Sequence, residues 1–291
     1  MAFQVAFEQR PPSLKLNLAR NELKRLPGAI FNVEHLTMLS VARNELRDIP
    51  PAIGKLKNLC ELNIATNHLN SLPYELLELI RSSTQLKTLV LYPNPFYVAG
   101  IDEAGLELQK EQRESHAKEG HGLHRFAVRS PVHYLDSMGE TYSQFRLPST
   151  SSHSPTVVEV DSFKSPAPPS SDPKQSKSRP ESLIRDSSRV PTLVELALRA
   201  CYDSPELEFT PDMLPPGAPA YLGQSLKAAL AQKETGGWTC SVCGRPMVVP
   251  RAVWLEWWEL DRDDRVFLGG GHERLVPFLR RACSWRCGPT V

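Results

Sequence analysis

The stretch LKLNLARNELKRLP (residues 14–27) decides the fold of the N-terminal part, because it recurs at a fixed distance. The second copy is TMLSVARNELRDIP (residues 37–50) and the third is CELNIATNHLNSLP (residues 60–73), so each copy begins 23 residues after the one before. A fourth copy, residues 86–94, arrives four residues late. A constant period of this length predicts a stack of similar structural units.

Each copy carries a short strand signal followed by an asparagine. Alternate side chains of a strand point to the same face, so the L-x-L step directs two apolar side chains into a core. The asparagine can turn inward and satisfy backbone groups that would otherwise be buried without a partner. A single coil cannot bury its apolar stripe, so neighbouring coils must stack. The inward asparagines are Asn21, Asn44, Asn67 and Asn94.

These copies resemble the leucine-rich-repeat family, in the subtype that reads L-x-x-L-x-L-x-x-N-x-L-x-x-L-P-x-x-I. The resemblance covers residues 13–96. The first copy has Ser13 in place of leucine, so we expect it to act also as a cap, together with Phe3, Val5 and Phe7. The resemblance implies an α/β fold class, with residues 1–100 forming a short leucine-rich-repeat solenoid and its caps.

The family binds proteins on its concave strand face, which identifies the residues most exposed to a partner here. The expected partner-binding residues are Lys15, Asn17, Met38, Ser40, Arg43, Glu61, Asn63, Thr88, Val90 and Tyr92. The alternative is that they are ordinary solvated strand residues. Nothing in the sequence resembles a nucleophile with its base, a carboxylate pair or a phosphate loop, so we expect no enzyme and no small-molecule substrate.

Two cysteine pairs frame the C-terminal part and predict a metal site. Cys240 and Cys243 have the C-x-x-C spacing of a zinc knuckle, and Cys283 and Cys287 form the second pair. Four thiolates make a closed tetrahedral site, so the predicted cofactor is a structural zinc. Residues 236–291 are therefore expected to be a small α+β zinc-knuckle module, too small to fold on its core alone. The alternative is four reduced cysteines in a small core; Cys60 and Cys201 look structural.

The composition between these parts predicts less order. Residues 101–147 are ambiguous and partly ordered, whereas residues 148–190 are rich in serine and proline and predict a disordered linker. The whole chain has 291 residues, 26 of them proline, and a net charge of +1, so no overall field favours nucleic acid or an anionic membrane.

Residues 191–235 predict amphipathic helices. Thr192 can cap a helix whose apolar side chains include Leu193, Leu196, Ala197 and Ala200. The segment 191–222 resembles a SOCS/BC box, which implies that Thr192, Leu193 and Leu196 recruit elongin C and a cullin. It departs from that box at Ala197, where cysteine is usual, and in the sequence Leu214-Pro215-Pro216-Gly217. The simpler interpretation is an amphipathic helix that packs on its own chain.

The sequence thus predicts a protein-interaction adaptor, with a substrate receptor of a cullin–RING ubiquitin ligase as its most specific form. Two alternatives stay open: a passive signalling scaffold with a small GTPase or phosphatase partner, and a nucleic-acid-binding zinc protein. Lacking a signal peptide and any apolar run of membrane-spanning length, the chain is expected in the cytoplasm or nucleus and away from membranes.

Overall fold

A computed structural model describes residues 12–82, 86–101, 124–148, 154–161, 192–208, 210–260, 266–268 and 275–289. Its strands are β1 (Leu14–Asn17), β2 (Leu36–Ser40), β3 (Glu61–Asn63), β4 (Leu72–Pro73), β5 (Thr88–Val90), β6 (Val98–Ala99), β7 (His124–Arg129), β8 (His133–Tyr134), β9 (Val157–Val158), β10 (Trp238–Thr239), β11 (Pro246–Met247), β12 (Ala252–Leu260), β13 (Val266–Leu268) and β14 (Leu275–Ala282). Its α-helices are α1 (Tyr74–Ser82), α2 (Leu193–Asp203) and α3 (Ala220–Thr235). The expected cap residues Phe3, Val5 and Phe7 lie outside the described residues.

The repeats form a parallel sheet in the order β1-β2-β3-β5. Equivalent residues of successive copies are partners, as in the row Lys15, Met38, Glu61 and Thr88. The strands therefore lie where the alignment of the copies places them. Between the strands, short 3-10 helices (Gly28–Asn32 and Pro51–Lys55) and α1 bring the remaining apolar residues of each copy into one core.

The asparagines join neighbouring coils, as their inward position requires. The Asn67 side-chain amide donates to the carbonyls of Val41 and Ile64, at 3.0 Å each, and its Oδ1 accepts from the Leu46 amide at 3.1 Å. Asn44 and Asn94 repeat this pattern one coil below and one coil above. Each buried asparagine thereby satisfies backbone groups of two coils at once. Asn21, in the first coil, is exposed and bonds only within its own coil among the described residues.

The C-terminal segment is built into the repeats and does not stand beside them as a separate module. β13 adds to the repeat sheet, parallel to β5, with Phe267 opposite Leu89. β14 pairs parallel with β4, so that Phe278 lies opposite Leu72. Phe278, Val276 and Leu260 belong to the same buried cluster as the repeat leucines. The repeat core therefore stabilises part of the segment between the cysteine pairs, which the expectation of a small self-contained module did not include.

A second sheet, in the order β4-β14-β12-β7, connects the middle of the chain to the C-terminal hairpin. β12 and β14 are antiparallel over eight residue pairs, and β7 and β8 both pair with β12. Residues 124–134 are therefore fixed by backbone hydrogen bonds to the edge of β12 that β14 leaves unpaired.

The expected linker, residues 148–190, contains one ordered stretch. β9 pairs parallel with β6, and Val158 is buried in a cluster that includes Tyr97, Val128 and Trp257. The prediction of disorder is corrected for residues 154–161, because Val158 and Val160 pack in this cluster and Asp161 bonds to Arg129. Residues 149–153 and 162–190 lie outside the described part of the chain.

Helices α2 and α3 pack on each other and then on the first repeat. α3 ends at Gly236, which has a left-handed φ of +98°. A Cβ on Gly28 would lie 2.6 Å from the Gly236 amide nitrogen, and one on Gly236 would lie 2.8 Å from Ala52 Cβ. Two backbones thus meet without intervening side chains, which fixes the end of α3 against the 3-10 helices of the repeats.

The helices of the described residues are too short or too polar for any of them to span a membrane.

Candidate functional site

Eight of the ten residues expected to bind a partner lie on the strands β1, β2, β3 and β5 of the repeat sheet, and Arg43 and Tyr92 follow β2 and β5. Lys15, Asn17, Arg43 and Glu61 are exposed, and the remaining six are half-buried. The alternating leucines Leu39, Leu62 and Leu89 are buried behind them. We call this surface, formed by β1, β2, β3 and β5, the strand face.

Two asparagines of the strand face are engaged with the backbone. Asn17 Oδ1 accepts from the Ala19 amide at 3.0 Å, and Asn63 Oδ1 accepts from the Ala65 amide at 3.2 Å. These bonds shape the end of each strand and reduce what the two side chains can offer a partner. The charged groups at the rim, Lys15, Arg43 and Glu61, have no ion-pair partner among the described residues.

Sequence reasoning missed that β13 extends the strand face. Its three residues pair with the last repeat strand, more than 170 positions earlier in the chain. The one available signal was the short apolar run Val266-Phe267-Leu268, which is also typical of a core strand. The repeat sheet that carries the strand face therefore continues into the C-terminal part of the chain.

The four predicted metal ligands come together. The sulfur atoms of Cys240, Cys243, Cys283 and Cys287 all lie within 4.8 Å of one another, and Cys243 Sγ is 3.5 Å from Cys283 Sγ. All four are free thiols. Four ligands at Zn–S distances of about 2.3 Å require sulfur separations of about 3.8 Å, so a contraction of about 1 Å at most would complete a tetrahedral site. The cluster can hold a metal ion.

The local sequence explains how each pair is presented. β10 and β11 pair with Trp238 opposite Met247, and the turn between them carries Cys240 and Cys243. Gly244 takes a left-handed φ of +72° there, which allows its amide to donate to the Cys240 carbonyl at 2.9 Å. The second pair follows β14 directly, and Cys287 ends the 3-10 helix Trp285–Cys287. We call residues 238–247 the knuckle.

The electrostatics of the cluster favour a cation. The hydrogen bond from the Cys283 thiol lowers the pKa of Cys240 to about 4. The same contact and burial raise the pKa of Cys283, and burial raises the pKa of Cys287. One thiolate is thus stabilised by its neighbours, while the crowded sulfurs resist further ionisation. A divalent cation would offset that repulsion, and the all-sulfur donor set is the one that zinc takes in closed structural sites.

The arginines around the knuckle are used inside the protein. The Arg280 guanidinium pairs with Glu256 at 3.2 Å, donates to the Ser241 carbonyl at 2.8 Å and lies 3.6 Å from the centre of the Tyr74 ring. Arg281 stacks on Trp238 at 4.6 Å, and Arg251 donates to the Leu135 carbonyl at 3.1 Å. Arg280 in particular connects the knuckle, β12 and α1.

Helix α2 presents to solvent the apolar residues that were expected to pack. Leu193 is 84% exposed and Leu196 is 45% exposed, and Ala197 and Ala200 on the same face are also exposed. The packed face of α2 is instead formed by Val194, Leu198 and Cys201. The helix therefore does pack on its own chain, as the simpler interpretation expects, but not through the Leu193 stripe. Both faces are apolar, so the pattern alone cannot choose between them.

The N-terminus of α2 is capped as predicted, but its first-turn glutamate has another role. Thr192 Oγ1 accepts from the Glu195 amide at 3.2 Å. The Glu195 carboxylate is 6% exposed and accepts from the amides of Val248 and Val249, at 2.9 and 3.0 Å. Arg199 Nε donates to it at 2.8 Å. A residue that favours a helix start in the sequence thus anchors the helix to the bend between β11 and β12.

Comparison with known proteins gives a match within the repeats. The profile of the Leucine rich repeat family matches residues 14–69, which contain the first three strands of the repeat sheet. This match supports the leucine-rich-repeat resemblance and a role in protein interaction. A search of curated proteins gives no significant match.

Proposed function

We propose that this protein is a non-catalytic adaptor that joins two proteins: a client on the strand face and a recruited partner on α2. The observation that carries the proposal is the exposed apolar face of α2. Burial of a fully exposed leucine is worth roughly 1.5–3 kcal/mol, so Leu193, at 84% exposed, forfeits most of that free energy in water and Leu196, at 45%, forfeits less. A contiguous apolar face on an anchored helix is typical of a helix that inserts into the groove of another protein.

We further propose that the recruited partner is elongin C with a cullin, so that the protein serves as a substrate receptor of a cullin–RING ubiquitin ligase. The SOCS/BC-box resemblance of residues 191–222 supports this, since Thr192 caps α2 and Leu193 opens its exposed face. The order of repeats, helices and four cysteines is similar to that of leucine-rich-repeat-containing protein 58 of animals. A cytoplasmic or nuclear location follows from the same proposal.

We propose that Cys240, Cys243, Cys283 and Cys287 hold one structural zinc ion. The geometry and the all-sulfur donor set described above support this choice. When bound, the ion cross-links the knuckle to the end of β14 and leaves no coordination position open for chemistry. The nucleic-acid alternative is weakened because Arg280, Arg281 and Arg251 contact protein groups, as described above, and Arg280 is paired with Glu256.

The recruitment proposal predicts a loss of binding without a loss of stability. We expect the double variant Leu193→Ala, Leu196→Ala to lose elongin C binding by on the order of 100-fold, because two exposed apolar anchors are removed from the interface. The melting temperature should change little, since substitutions at exposed sites shift the unfolding free energy by about 0.5 kcal/mol or less. The measurement is isothermal titration of purified elongin C into the full chain.

Lys227→Ala, an exposed substitution on α3, is the matched control and should bind like the unmodified protein. Equal affinity of all three proteins, or no binding of elongin C by the unmodified chain, would remove the cullin–RING form of the proposal. Binding of a client to the strand face is a separate part of the proposal and has its own test.

The strand-face proposal predicts that its rim charges select the client. Reversing Arg43→Glu together with Glu61→Lys should reduce client capture by about tenfold, because misplaced rim charges oppose a complementary surface. Quantitative affinity purification of the full chain measures this effect. Glu34→Lys with Lys57→Glu, exposed residues outside the strands, is the control pair. If clients are retained by the strand-face variant and lost by the control pair, they do not bind the strand face, and this part of the proposal is wrong.

A further inference from the structure

The exposed face of α2 is useful to a partner only if the helix is held in one orientation. Its one fully buried apolar side chain is Leu198, and Val194 and Cys201 are partly buried beside it. The buried polar anchor of α2 is the Glu195 carboxylate, which accepts from the Val248 and Val249 amides. The position of α2 therefore depends on the position of residues 248–249.

Val248 is held from a second side by α3. Gln232 Nε2 donates to the Val248 carbonyl at 2.6 Å, and Gln232 is itself 4% exposed. Both backbone groups of one residue thus bind side chains from two different helices. Val248 is the node at which α2, α3 and the C-terminal strands meet.

This node follows the knuckle directly. β11 ends at Met247, one residue before Val248, and Met247 is buried with Cys240, Trp254 and Ala282. Ser241, between the two knuckle cysteines, bonds to the backbone of Arg281: its amide donates to the Arg281 carbonyl at 2.9 Å, and its Oγ accepts from the Arg281 amide at 3.1 Å. The knuckle is thereby fixed to β14 by these bonds and by the cysteine cluster.

We infer that metal loading of the four-cysteine cluster controls whether α2 is presented to its partner, with Val248 and Glu195 transmitting the change. This inference rests on the proposed recruitment function. When no cation cross-links the four sulfurs, the knuckle loses the metal bonds that hold it to the end of β14. Residues 248–249 then lose their fixed position, and Glu195 loses two amide donors. A buried carboxylate that keeps only the Arg199 guanidinium as a donor is less stable, so α2 separates from the node.

The change is expected to stay local. β12 and β14 keep their partners β7 and β4, and Phe278 remains in the repeat core. The knuckle, by contrast, pairs by strand hydrogen bonds only within itself in the described chain. The knuckle is held to the rest of the chain by side chains and loop bonds, through Cys240, Met247 and Ser241, and a segment held in this way can open without global unfolding.

The test is amide hydrogen exchange of the full chain in reducing buffer, in three states: loaded with Zn²⁺, stripped by a chelator with metal loss verified by elemental analysis, and reloaded. In the stripped protein we expect amides of 193–203 and 248–249 to exchange at least about tenfold faster, with protection restored on reloading. Amides of β2 and β3 should keep their protection. Unchanged protection of α2 after verified metal loss would overturn the inference, and so would loss of protection throughout β2 and β3.

A variant separates the transmitting residue from the metal site. Glu195→Gln should retain one zinc ion per chain and yet show fast exchange of α2 in the loaded state, because the amide side chain accepts more weakly than the carboxylate. Glu206→Gln, an exposed glutamate in the turn after α2, is the matched control and should behave like the unmodified protein. Full protection of α2 in the loaded Glu195→Gln protein would contradict the role of Glu195. These exchange measurements do not involve elongin C, so the inference can fail while the recruitment proposal holds, and the reverse.

Discussion

The variant Phe278→Ala is expected to unfold the repeats and the C-terminal strands together. Phe278 has no exposed surface, is the register partner of Leu72 and packs among the repeat leucines. Truncation of a buried phenylalanine costs about 3–5 kcal/mol, which is a large share of the 5–15 kcal/mol that typically stabilises a protein. The contacts that Phe278 loses on truncation join the repeats to the C-terminal strands, so both should be destabilised.

Chemical denaturation monitored in two ways measures this effect. All five tryptophans lie between Trp238 and Trp285, so their fluorescence follows the C-terminal part, while hydrogen exchange of β2 and β3 follows the repeats. Both should shift by the same free energy if the chain unfolds as one unit. Val157→Ala, at a side chain that is 68% exposed, should leave both unchanged within about 0.5 kcal/mol. A shift of fluorescence alone would show two independently folding parts.

The variant Cys243→Ser is expected to abolish zinc binding. A site built from four thiolates loses its closed tetrahedral geometry when one becomes a hydroxyl, and structural zinc in small peptides contributes about 10–16 kcal/mol at neutral pH. The zinc content of the purified protein should fall from about one ion per chain to near zero in elemental analysis. The loss of structure should be confined to the knuckle and the helices anchored to it, since β12 and β14 are paired elsewhere.

The other two cysteines provide the matched controls for this measurement. Cys60 and Cys201 are free thiols outside the cluster. Cys60→Ser and Cys201→Ser should therefore keep the full zinc content. Equal zinc in the Cys243→Ser protein, or its absence from the unmodified protein, would refute the metal proposal.

The recurring copies determined the repeat sheet from the sequence alone. Each asparagine joins coils that are one copy apart, so the contacts that fix the sheet are nearly local in the chain. The same side chains recur at the same positions, and a short period leaves little choice of register. The cysteine cluster was predictable for a related reason: two close pairs of one ligand type constrain their own geometry, whatever lies between them.

Only the tertiary structure decided how these parts are joined. The pairing of β13 with β5 and of β14 with β4 connects residues that are 178 and 206 positions apart, and no periodicity encodes such contacts. The burial of Val158, in the segment expected to be a linker, likewise could not be predicted from the sequence, because it depends on a core that distant segments form.

The sequence pattern does not determine which face of α2 is buried. Leu193, Leu196 and Ala197 form one apolar stripe, and Val194, Leu198 and Cys201 form another. Hydrophobic periodicity identifies the helix but cannot state which stripe is buried. The Glu195 carboxylate settles the choice, because its donors, the amides of Val248 and Val249, lie more than fifty residues away in sequence and become neighbours only in the folded chain.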